Sequence, residues 1–125
     1  MLDGVVADDS NQLGKLWFLR EEVGSAVFGY GYTLTYDVSL PNESYYECVN
    51  ATRALIENSS LPGKEKLVTT GFGHIGDGNL HVNVSLPGYE DKALQEAVYS
   101  LVDPFVMEFT RKHKGSVSAE HGVGL

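Results

Sequence analysis

A single cysteine, Cys48, rules out an internal disulfide framework, and there is no second cysteine with which to build a Cys-rich zinc site. Any metal would have to be held by histidine and carboxylate. Basic residues are also scarce. Nine Lys and Arg stand against 17 Asp and Glu, for a formal charge of −8, and no basic run is long enough to track a phosphate backbone. Nucleic acid is not expected as a partner. Neither a signal-peptide pattern nor a run of about 18 apolar residues occurs, so no membrane span is expected. Four Asn-X-Ser/Thr triplets, at Asn42, Asn50, Asn58 and Asn83, weigh little as glycan acceptors because the pattern is so short. With 125 residues, there is enough chain for one apolar core, but little for an enzyme that must also enclose a large cofactor.

From Ser10 to about Ala26, Leu13, Leu16, Trp17 and Val23 recur at near-helical spacing, with Ser10 or Asn11 as N-cap. The run YTLTYDVSLP is rich in β-branched and aromatic residues and reads as a strand ending at Pro41. A second helix opens at Pro41-Asn42-Glu43 and presents Tyr46, Val49, Ala54 and Leu55 before Asn58 and Pro62-Gly63 end it. Strands follow near 66–75 and 79–86. A last helix over 91–113 carries Leu94, Val98, Leu101, Phe105 and Phe109, with Pro104 expected to kink or split it. A glycine-rich tail with a short strand completes the order. Adjacent strands without a repeated β-α-β rhythm predict an α+β fold, an antiparallel sheet with helices on one face.

The stretch GFGHIGDGNLHVNV, residues 71–84, satisfies G-x-G-x-x-G, but that fingerprint needs a helix after its third glycine. Here a turn and another strand follow. Asp77-Gly78 suits a two-residue type I′ hairpin turn, which would set His74 opposite His81 and Phe72 opposite Asn83. One face would then carry Phe72, His74, Asn79, His81 and Asn83, and the other Ile75, Leu80, Val82 and Val84. Gly71 and Gly73 would let another element approach the second face closely. A lone histidine on a sheet is ordinarily structural, whereas two in opposition can share an ion. A catalytic His₂-Glu site needs a third protein ligand, and SAEHG offers Glu120 beside His121. On an extended segment the two point opposite ways, so one would bind metal and the other could move a proton.

Together, GHIGDGNLHVN and GSVSAEHGVG resemble the C-terminal region of FAD-linked 2-hydroxy acid dehydrogenases of the vanillyl-alcohol oxidase superfamily. The resemblance covers nearly the whole chain, taking in LWFLREEVGSA and YDVSLP. It implies the substrate, or cap, domain (residues 1–125) of an enzyme whose FAD is bound mainly by a domain absent from this chain. By the resemblance, His74, His81 and Glu120 hold a divalent metal, usually zinc. His121 is the catalytic base, and Arg20 and Asn83 contact substrate. The implied reaction oxidises a D-2-hydroxy acid to the 2-oxo acid, with 2-hydroxyglutarate first and D-lactate or glycolate as alternatives, and passes electrons to an acceptor of the flavin. The implied location is mitochondrial in a eukaryote and cytoplasmic otherwise.

Thr35 stands where the family commonly has lysine, and Gly24 where it has threonine or proline; the first change removes a cation from the expected substrate end. Two readings from other classes are a non-catalytic metal-binding module and an interaction domain with structural histidines.

Overall fold

A computed structural model of the chain describes residues 4–118. Its elements run α1 (Ser10–Gly29), β1 (Gly31–Ser39), α2 (Tyr45–Glu57), a 3-10 turn at Lys64–Lys66, β2 (Val68–His74), β3 (Asn79–Pro87) and α3 (Lys92–Lys112). The strands form one antiparallel sheet in the order β1-β3-β2. This is the expected α+β architecture. Of the expected terminal strand, the described residues contain one bridge, Ser116 to Ser39, made through both backbone hydrogen bonds.

The period of two along β3 divides the molecule. Leu80, Val82, Val84 and Leu86 point to one face with Tyr36 and Val38 of β1, and all six are buried. Two helices cover that face. From α2 come Cys48, Val49, Thr52 and Ile56, and from α3 an i+4 row of Leu94, Val98, Val102, Val106 and Thr110. Each fully buried valine or leucine contributes about 1.5–3 kcal/mol. The buried faces differ from the expected ones: Tyr46 lies outside, and Leu101, Phe105 and Phe109 only flank the core. Compact side chains pack against the sheet, and larger rings lie at the margin of the core, with Phe109 on His113 at 4.2 Å.

The helix α3 is not split at Pro104. Proline's missing N–H orphans the carbonyl four residues earlier, and Ser100 is exposed, so water can satisfy it. Asp9, rather than Ser10 or Asn11, caps α1, accepting the Gln12 N–H at 2.8 Å. No residue of α1 is buried, and Leu13, Trp17, Phe18, Leu19 and Phe28 are all more than half exposed.

Close approach of α2 to the sheet depends on Gly71, where a Cβ would run into the Val49 side chain. Gly73 is similarly placed against the Tyr45 hydroxyl, which donates to the Asn79 carbonyl at 2.6 Å. Gly71→Ala is expected to cost about 1–3 kcal/mol through overpacking. With Val49→Ala added, the loss should fall below the sum of the single changes, as read by urea unfolding of all four proteins.

Burial pushes the Cys48 thiol up to about 11. A folded-state value above the unfolded one means that the unfolded chain gives up its proton first, so stability falls as pH rises past the ordinary thiol range and levels off near 11. The expected loss is about 2–3 kcal/mol at about 1.36 kcal/mol per unit. Urea midpoints taken from pH about 8 to 10.5 should show the decline, and Cys48→Ala should flatten most of it.

Candidate functional site

The sheet face opposite the core is polar. Across the strands β1, β3 and β2 it reads Ser39-Asn79-His74, then Asp37-His81-Phe72, then Thr35-Asn83-Thr70. His74 therefore pairs with Asn79, and His81 with Phe72, which corrects the expected register of His74 opposite His81. The face assignment survives because the shift is even, so both histidines still project on the same side as diagonal neighbours. Their ring centroids are 6.2 Å apart, edge to face.

The reason for the shift lies in the turn. A type I′ turn needs positive φ at both central residues, and of Asp77 and Gly78 only Gly78 has it, at 75°. The loop spans residues 75–78 instead. Asp77 N–H donates to the His74 carbonyl, and the Asp77 carboxylate accepts the Asn79 N–H at 3.1 Å. The Gly78 carbonyl accepts from Leu40 N–H at 2.9 Å, and Ser39 Oγ donates to the Asp77 carbonyl. The end of β1 thus holds the loop in place. Ile75, expected on the core face, sits in this loop and is exposed.

Arg20 reaches the polar face from α1. Its Nη2 stands 3.3 Å from His74 Nδ1, and its guanidinium lies over the Trp17 ring at 5.7 Å. Arginine has only donors, so in this bond His74 Nδ1 accepts. A cleft of about 200 Å³, small enough for a short organic acid, is lined by Arg20, Glu21, Val23, Gly24, Phe72 and His81. A Cβ at Gly24 would meet nothing within 4 Å, so the cleft is open there.

Asp37 belongs to this site and was not singled out from the sequence. Its Oδ1 lies 3.6 Å from His81 Nδ1 and accepts from Asn79 Nδ2 at 2.6 Å. A carboxylate there favours a proton on Nδ1 of His81. The signal was present as the alternating polar residues Thr33, Thr35, Asp37 and Ser39, but their partner strand was not.

Asn83 is buried, its Oδ1 accepting from Thr35 Oγ1 at 2.9 Å and its Nδ2 donating to the His81 carbonyl. It is the least accessible of the expected substrate contacts. The Thr35 hydroxyl holds that amide. Glu120 and His121 lie outside the described residues. Among the described residues no group of three or more His, Cys, Asp or Glu is placed to hold a metal ion. The two histidines do fit one as a pair. Zinc–nitrogen bonds of about 2.0–2.1 Å in tetrahedral geometry put ring centroids about 5 Å apart, within a side-chain rotation of the arrangement seen. No helix among the described residues is long and apolar enough to cross a membrane.

The whole chain, residues 1–125, matches the family described as "FAD linked oxidases, C-terminal domain". It is 42% identical over 123 residues to the mitochondrial D-2-hydroxyglutarate dehydrogenase of Arabidopsis thaliana, covering 98% of this chain and 20% of that protein. The Danio rerio enzyme of the same name is 43% identical, with 98% and 21% covered. A mitochondrial protein of Schizosaccharomyces pombe, provisionally named D-lactate dehydrogenase, is 41% identical, with 98% and 23% covered. The chain thus spans about a fifth of the length of these relatives. With a polar sheet face that gathers Arg20, His74 and His81, and a match along its entire length, the chain belongs to the C-terminal domain family of the FAD-linked oxidases.

Proposed function

We propose that this chain is the substrate- and metal-binding part of an FAD-dependent dehydrogenase that oxidises a D-2-hydroxy acid, 2-hydroxyglutarate or a shorter relative such as D-lactate, to the 2-oxo acid. The observation that carries the reading is that Arg20 and His81 line one small cleft, with His74 hydrogen-bonded to the first and edge to face with the second. The relatives' names supply the substrate class and, for a eukaryotic source, a mitochondrial location.

Bound zinc would supply Lewis acidity at the substrate hydroxyl, and FAD the hydride acceptor, before electrons pass to an external acceptor. The chain's own residues do the rest. Arg20 takes the substrate carboxylate in its planar fork and so fixes its orientation. His74 and His81 hold the metal from the sheet, with Asp37 setting the ring of His81. Asn83, fixed by Thr35, gives a second, rigid polar contact. Glu120 completes the ligand set, and His121 removes the hydroxyl proton. The Ser116–Ser39 bridge supports this placement, because four residues of chain reach at most about 14 Å from the sheet edge. The exposed apolar side chains of α1 support a further part of this proposal, that the chain works within a larger flavoprotein whose remainder covers that helix.

In that flavoprotein, His74→Ala and Glu120→Ala are expected to lose both metal and activity, since two ligands bind far more weakly than three. His121→Ala should keep most of the metal while flavin reduction slows about 10²- to 10⁴-fold. Elemental analysis and stopped-flow reduction on the same preparations check this, and a metal-free His121 variant would reverse the two roles. Alone, the chain should reduce no dye acceptor with any 2-hydroxy acid, because it lacks the hydride acceptor. Turnover without added protein would refute the proposed division between domains.

A further inference from the structure

The hydrogen bond between Arg20 and His74 joins a proposed substrate contact to a proposed metal ligand, and the two roles exclude each other in this arrangement. With Nδ1 accepting from the guanidinium, a neutral His74 carries its proton on Nε2. Neither nitrogen then has a lone pair to give a metal. If His74 binds through Nδ1, Arg20 must leave. If it binds through Nε2, the proton moves to Nδ1, which then repels the guanidinium. Either way the bond breaks.

We infer that Arg20 and the metal compete for His74, so that metal binding releases Arg20 into the cleft and the metal binds before the substrate carboxylate. The inference rests on the metal-binding reading above. The place of Arg20 allows the exchange. It lies on an exposed helix, stacked on Trp17, and lines the same cleft as His81, so letting go of His74 leaves its guanidinium beside the space a carboxylate would enter. Asp37 lies by Nδ1 of His81, favouring the proton there. These two contacts favour opposite tautomers of the two histidines before metal arrives.

The test uses the full 125-residue chain labelled with ¹⁵N-histidine. Without metal, ring ¹⁵N shifts should show His74 protonated on Nε2 and His81 on Nδ1, and zinc should abolish the first pattern. Arg20→Ala should remove the His74 bias and tighten zinc binding, measured against a chelating indicator, by about three- to tenfold, the range for losing one competing hydrogen bond. Because Arg20→Ala also removes a positive charge, titrations are run at about 0.1 M and about 1 M salt, where simple repulsion is screened. A gain that persists at high salt is the expected result. Equal zinc affinity for both proteins, a gain that vanishes in salt, or an Nδ1-protonated His74 in the metal-free chain would overturn the inference and leave the metal reading standing. Zinc binding by the parent chain but not by Arg20→Ala would overturn the inference alone, and failure of both proteins to bind zinc would overturn the metal reading with it.

Discussion

Strand β3 is hydrogen-bonded on both sides, and the alternation of its side chains decides what each half of the molecule becomes. Its even-numbered residues 80, 82, 84 and 86 are apolar and build the core against α2 and α3. Its odd-numbered residues 79, 81, 83 and 85 are polar and build the site floor. A slip of one residue would put histidine and asparagine into the core and valine under the cleft. Such a slip is opposed at several points: Val49 seats on Gly71, Tyr45 bonds to the Asn79 carbonyl, and Thr35 holds Asn83. The forces that stabilise the domain therefore also aim the histidines.

Much of this was legible in the sequence. The order of the elements, the two faces of the hairpin and the role of Gly71 follow from period-two patterning and glycine placement, both local properties. The register was not legible, because Asp-Gly supports more than one loop and the choice was made by Leu40 and Ser39, distant in sequence. Asp37 was missed for the same reason: it reaches His81 only through the strand order β1-β3-β2. The helix faces were misread toward large aromatics, whereas the side chains that α3 buries are compact ones such as Val102 and Thr110.

Electrostatically, the site runs against the rest of the chain. The chain carries a formal charge of −8, and Glu21 lines the cleft. Arg20 lines it as a cation, so any attraction of an anion to the cleft is local and depends on that side chain. Its stacking on Trp17 lowers the cost of holding a guanidinium in one place.

Asp77 and Gly78 of the loop 75–78 are anchored to the end of β1, and that same end receives Ser116. Hairpin tips are ordinarily where homologous chains gain and lose residues. Here an inserted residue would break the Leu40–Gly78 bond or displace Ser39, and with it the bridge to Ser116. Among natural variants of this domain, length should therefore be held constant between the two histidines while it drifts elsewhere on the surface.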